Sequence, residues 1–202
     1  MQTTIWQKLV NMDQWLFTQL NSVYTNRVFD SIMPFMRNAM HWSPVYLFLI
    51  VFMLLNFNRK GAWWCLFFTA TVALTDMTGT YLFKNTVQRT RPCNDHDFAP
   101  HVRMLLDHCS YGFSFISNHA ANHFAMAAFF YITMKSVLGK WTGLAFVWAG
   151  IVGYAQIYVG IHYPLDVLAG SLLGLTIGTL SGRLFNKRYG FAIFGNQPTL
   201  SS

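Results

Sequence analysis

Apolar stretches long enough to cross a bilayer recur along this chain, and no other feature constrains its fold as strongly. Five of them, at roughly residues 40–57, 61–83, 117–135, 141–159 and 165–185, approach the ~20 residues a helix needs to span a hydrocarbon core. In that medium the backbone has no water to bond, so each stretch must satisfy its own N–H and C=O groups as a helix. The expected fold is all-α: a polytopic membrane helix bundle of about five transmembrane helices, forming a single domain over residues 1–202. Composition agrees. Hydrophobic residues make up 53% and charged residues only 10%, where a soluble domain carries roughly 25% charged residues. Membrane lipids are therefore the expected surroundings, and nucleic acid is not an expected partner. The formal charge of +7 fits basic helix ends at anionic headgroups, and equally a site for an anionic substrate.

Residues 5–20, IWQKLVNMDQWLFTQL, are amphipathic. Ile5, Trp6, Leu9, Val10, Leu16, Phe17 and Leu20 form a helical stripe broken by Lys8, Asp13 and Gln14. Polar residues recur too often for a span, so an interfacial helix is expected here. Residues 1–40 lack the apolar core and small-residue site of a cleavable signal peptide. The basic turns NFNRKG and KSVLGK and the closing GRLFNKR suit cytoplasmic ends, although Lys and Arg divide evenly between the two sides. The polar stretch 84–116 and the turn 159–164 then share the opposite, outer face, because two spans separate them. Gly170, Gly174, Gly178 and Gly182 repeat every four residues on one helix face, a close-packing feature.

Three polar islands fall on that outer face. In KNTVQRTRP, Lys84 and Arg91 are seven apart. On a helix that spacing is two turns, so both cations can point the same way and suit a phosphate. In FSFISNHAANHF, Ser117 and Asn118 are helix-capping types at the start of an apolar helix. The N–H groups there favour an anion, with His119 in the first turn. In YVGIHYPLDVLAG, Pro164 suits a first helical position, leaving His162 just before the helix and Asp166 in its first turn. A carboxylate there can bond one imidazole nitrogen and leave the other free to attack. A nucleophile, an acid–base and an anion cradle are thus all represented.

These residues resemble the type 2 phosphatidic acid phosphatase superfamily of membrane lipid phosphatases. Its K-x6-R-P part is matched by Lys84, Arg91 and Pro92. Its P-S-G-H part is matched by Ser117 and His119, with Ile116 and Asn118 replacing Pro and Gly. Its S-R-x5-H-x3-D part is matched by His162 and Asp166, with Ala155 and Gln156 replacing Ser and Arg. The variant SNHAANHF is similar to that of Bacteroidetes-type members. The resemblance implies an integral membrane enzyme that needs no cofactor and no metal and forms a phosphohistidine. His162 would be the nucleophile, Asp166 its partner and His119 the general acid–base. Lys84, Arg91, Ser117 and the Asn118 N–H would bind phosphate, and Gln156 would stand where the family carries a cation. The implied substrate is a phosphorylated lipid: lipid A phosphate, undecaprenyl diphosphate, phosphatidylglycerol phosphate or phosphatidic acid. The implied location is a bacterial inner membrane with the site on the periplasmic face.

Three other readings compete. His119, His123, His162 and Asp166 form a possible metal-ligand set. A phosphotransferase would share the covalent step, and loss of Arg at 156 would suit a weakened phospholipid binder. Two further expectations concern structure. Cys93 and Cys109 lie together in the outer stretch and could pair in an oxidising compartment. Asp76, inside the second span, needs a partner there and is expected to be structural.

Overall fold

The computed structural model describes residues 4–191, and those residues are helical, with turns and no strand. Helix α1 is Ile5–Thr18, opened by a capping box in which the Thr4 side chain accepts from the Gln7 N–H and the Gln7 side chain bonds back. Helix α2 is Arg27–Arg37, capped by Asn26 and absent from the sequence-based assignment. The run Ser43–Met77 is two helices, because Asn58 leaves the helical region at φ 48°, ψ −126°. The chain reverses there: the Cys65 thiol reaches the Ile50 carbonyl across 15 residues, and a Cβ on Gly61 would collide with the Met53 backbone. These halves, residues 43–57 and 59–77, are α3 and α4. The remaining long helices are α5 (Asn118–Leu138), α6 (Leu144–Tyr158) and α7 (Pro164–Tyr189).

Among the described residues, three stretches are long and apolar enough to cross a membrane: Ala39–Asn94, Asn118–Tyr158 and Pro164–Tyr189. Away from the site, the core joins α3, α4, α5 and α7 through Met53, Trp64, Phe68, Phe129 and Phe185. The Trp64 indole N–H donates to the Thr133 hydroxyl at 2.7 Å, satisfying two buried polar groups at once. Large apolar side chains such as Leu47, Leu55 and Leu172 stay exposed, as lipid-facing positions do.

Helix α7 lies directly on α5, and its glycine stripe makes that approach possible. A Cβ at Gly170, Gly174 or Gly178 would strike the carbonyls of Ser117, Ala121 and Ala125 in turn. With no side chains between the helices, the backbones meet, and the Ser117 N–H donates to the Asp166 carbonyl at 3.0 Å. Packing thus fixes the second polar island against the third.

The N-terminal segment is fastened to the same end of the bundle. Asn21, fully buried, donates to the Arg103 and Tyr158 carbonyls and accepts from the Arg103 N–H. Asp30 of α2 accepts from Arg103 at 2.9 Å and from the Tyr158 hydroxyl at 2.6 Å. Phe17 packs edge-on against Phe98 and beside Tyr163. Cys93 and Cys109 form a disulfide, closing a loop that starts just after Arg91.

Candidate active site

Helix α7 begins at Pro164, so His162 sits in the turn before it and Asp166 in its first turn. Both are buried, with 2% and 0% of their surface exposed. The His162 Nδ1 lies 3.6 Å from Asp166 Oδ2. Between them stands Ser114, whose hydroxyl is 3.3 Å from Nδ1 and donates to Asp166 Oδ2 at 2.5 Å. Asp166 also accepts from the Tyr163 N–H at 2.9 Å and from Arg89 at 2.8 Å.

The tautomer of His162 follows from its other neighbour. Arg91 Nη1 lies 3.0 Å from His162 Nε2. A guanidinium can only donate, so Nε2 carries a lone pair and the ring proton is on Nδ1. That proton points to the Ser114 oxygen, whose own proton points to Asp166. Burial pushes the His162 pKa down to about 4 against the opposing pull of Asp166, so the ring is neutral and nucleophilic at neutral pH.

Arg91 arrives by a different route from the one its spacing suggests. The helical turns carrying Lys84 end at Val87, Gln88 turns left-handed, and Arg91 is extended at φ −71°, ψ 152°. The two-turn helical register of Lys84 and Arg91 is therefore corrected. Arg91 is held instead by the carbonyls of Gly112, Tyr111 and Ile161. Lys84 ends a π-helical segment, Thr78–Lys84, and donates to the Phe113 carbonyl at 2.9 Å. Both cations thus grip the 111–114 strand of loop that also presents Ser114.

Ser117 caps α5, accepting from the Ala120 N–H at 3.5 Å, and His119 follows in the first turn. The Asn118 side chain turns to the end of α4. Its amide donates to the Asp76 carboxylate at 3.0 Å and to the Thr80 hydroxyl at 2.9 Å. Asn122 donates to the same carboxylate at 3.0 Å, which gives Asp76 its partners on a neighbouring helix. Gln156 is fully buried; its amide donates to the Val152 carbonyl at 3.4 Å and its Oε1 is unpartnered. Its backbone carbonyl accepts from the N–H groups of both Ile161 and His162, so residue 156 shapes the turn that carries His162 through its main chain.

Two residues beside the site escaped the sequence reading: Ser114 and Asp13. Arg89 bridges Asp166 Oδ1 to Asp13 Oδ2, at 2.8 and 2.6 Å, and stacks on the Tyr163 ring at 4.0 Å. Asp13 is 2% exposed and also accepts from the Leu165 N–H. It belongs to α1, so the amphipathic helix supplies a carboxylate to the support of Asp166. Burial raises the Asp13 pKa, and Arg89 opposes that shift. The signal for Asp13 was a lone carboxylate inside an apolar stripe.

Among the described residues, no three His, Cys, Asp or Glu side chains converge as a metal-ion site. His123 is directed elsewhere. Its Nδ1 donates to the His119 carbonyl at 2.7 Å and its ring packs on Trp148. The proposed four-ligand set is therefore not assembled.

Residues 62–189 match the family model described as the PAP2 superfamily. A lipid A 4'-phosphatase of Bacteroides thetaiotaomicron is 30% identical over 172 residues, covering 82% of this chain and 73% of that protein. A lipid A 4'-phosphatase of Porphyromonas gingivalis is 27% identical over 176 residues, covering 84% and 71%. The crystal structure of a transmembrane PAP2-type phosphatidylglycerolphosphate phosphatase from Bacillus subtilis superposes with a TM-score of 0.69 at 22% identity. It covers 90% of this chain and 88% of that one.

Proposed function

This chain belongs to the PAP2 superfamily, and from that premise we propose that it is an integral membrane lipid phosphatase acting on a phosphate monoester of lipid A. The single observation that carries the chemistry is the unprotonated Nε2 of His162, buried and facing Arg91. The substrate reading is supported by the two lipid A 4'-phosphatases similar to this chain over more than four fifths of its length.

In the proposed reaction, Nε2 attacks phosphorus and forms a phosphohistidine as the bond to the lipid oxygen breaks. His119 gives a proton to that departing oxygen. It then takes a proton from water, which attacks the phosphohistidine and releases inorganic phosphate and free His162. Asp166, directly and through Ser114, holds the Nδ1 proton and stabilises the positive ring as the bond forms. Lys84, Arg91 and the N–H groups at the start of α5 hold the phosphate oxygens. Before attack, the Arg91 N–H must turn its hydrogen bond from Nε2 to a phosphate oxygen, keeping its proton. Arrival of substrate thereby frees the nucleophile.

Five crossings are proposed, because α3 and α4 fold back on each other and α5 and α6 are separate helices joined at Gly139–Gly143. Helix α1 is proposed to lie at the interface, with exposed Ile5, Trp6 and Trp15 entering the lipid. The Cys93–Cys109 disulfide beside the site supports a periplasmic orientation, since such bonds persist in oxidising compartments. The test is phosphate release by purified protein from lipid A, undecaprenyl diphosphate, phosphatidylglycerol phosphate and phosphatidic acid. Lipid A is expected to be turned over with the highest kcat/KM; preference for another lipid overturns the substrate, and release from none overturns the activity.

A further inference from the structure

A phosphate monoester in a phosphohistidine mechanism gathers negative charge, and the cations placed so far are sparsely available. Arg91 has five N–H donors. Four of its bonds are already made: to Gly112, Tyr111, Ile161 and His162 Nε2. Gln156 carries no charge, is sealed in the core and spends its amide on Val152. The other outer-face arginines near the site are committed to carboxylates: Arg89 to Asp13 and Asp166, and Arg103 to Asp30.

Arg37 differs from all of these. It ends α2 and lines a cavity of about 670 Å³ whose wall also includes His119, together with the loop 105–110 and exposed His41. Its Nε is buried with no hydrogen-bond partner. Burial lowers its pKa, and no neighbouring charge among the described residues offsets that cost. Its field reaches both His119 and Arg91. Asp107, the carboxylate in the same cavity wall, is exposed and makes no pair with it among the described residues. A half-buried guanidinium left unpaired beside the general acid is an expensive arrangement unless an anion completes it.

We propose that Arg37 is a phosphate-binding residue, a guanidinium supplied by the N-terminal helix that takes over the electrostatic role left empty at Gln156. The inference rests on the phosphatase reading above but concerns residues ahead of the 62–189 stretch shared with the family. It makes α2 a wall of the active site. Its fork can offer bidentate bonds to phosphate oxygens beside His119, which lines the same cavity. The Asn21 and Asp30 contacts that fasten the N-terminal segment to Arg103 and Tyr158 would then hold this cation in register.

The experiment measures binding of orthovanadate and inorganic phosphate to the full chain in detergent, beside lipid A phosphate release. Wild type is compared with Arg37→Gln and Arg37→Lys. Arg37→Gln is expected to weaken vanadate binding at least about tenfold and to lower kcat/KM about 100-fold, with thermal unfolding unchanged. Arg37→Lys should fall between. If Arg37→Gln unfolds, Arg37→Met takes its place. Vanadate affinity within about threefold of wild type in a folded, charge-free variant overturns the proposal, as does a wild type that binds neither oxyanion. Arg37-dependent oxyanion binding without release of phosphate from any lipid supports the anion site and sinks the catalytic reading alone.

Discussion

Replacing Ser114 by alanine isolates the least expected part of the site. The serine hydroxyl donates to Asp166 Oδ2 at 2.5 Å and accepts from His162 Nδ1 at 3.3 Å, while the direct contact from Nδ1 to Oδ2 is 3.6 Å. Both residues are buried, so water does not replace the lost hydroxyl cheaply. A hydrogen bond to a charged group contributes about 1.5–3 kcal/mol, and here it strengthens as the imidazole becomes cationic in the transition state. Arg89 and the Tyr163 N–H still hold the carboxylate, and the direct ion-pair contact can shorten. The expected loss in kcat is therefore about 10- to 150-fold, with KM nearly unchanged because Ser114 touches His162, the proposed nucleophile, rather than the residues proposed to hold phosphate. The assay is phosphate release from lipid A by purified Ser114→Ala, with thermal unfolding measured in parallel. A folded variant with kcat within about twofold of wild type would refute the relay. A rise in KM at constant kcat would instead move Ser114 to substrate binding.

The remaining predictions concern the support of this site. His162 is held neutral by burial, with its pKa lowered from 6.5 to about 4. Below about pH 6.5 the unfolded chain takes up a proton that the folded chain refuses, so stability should fall as pH drops from about 6.5 through about 4. Thermal unfolding across that window should show a slope that His162→Gln reduces. Asp13→Asn leaves Arg89 with one carboxylate and should lower kcat about tenfold or more with little effect on KM; equal activity would make α1 dispensable to the chemistry. Gly174→Leu should prevent α7 from seating on the Ala121 carbonyl and reduce folded yield sharply; a folded, active variant would contradict the backbone-to-backbone contact.

The residues proposed to carry the chemistry could be picked out in the sequence because each motif part is short, with its members close together in the chain. His162, Pro164 and Asp166 lie within a few residues, and the helix does begin at Pro164. The apolar runs were legible for the same local reason, including the reversal between residues 57 and 61. What failed was anything set by contacts distant in sequence. Asp13 meets Arg89 across 76 residues and Ser114 meets Asp166 across 52, and no local pattern announces either. Lys84 and Arg91 were joined by a helical spacing that the left-handed Gln88 interrupts, so both reach the 111–114 loop by a path that spacing does not describe. Helix α2 carries Pro34 and a mixed polar sequence; its contribution depends on tertiary fastening through Asp30, and Arg37 was invisible until that fastening placed it beside His119.

The central claim is that His162 becomes covalently phosphorylated, and trapping the intermediate tests it most directly. Wild-type protein mixed with radiolabelled lipid A phosphate and quenched in alkali within the first turnovers is expected to carry label on His162, stable to base and released by acid. His119→Ala, impaired in activating water, should accumulate more of it. His162→Ala should carry none and release no phosphate. Label on any other residue, or phosphate release by a folded His162→Ala, would contradict the account.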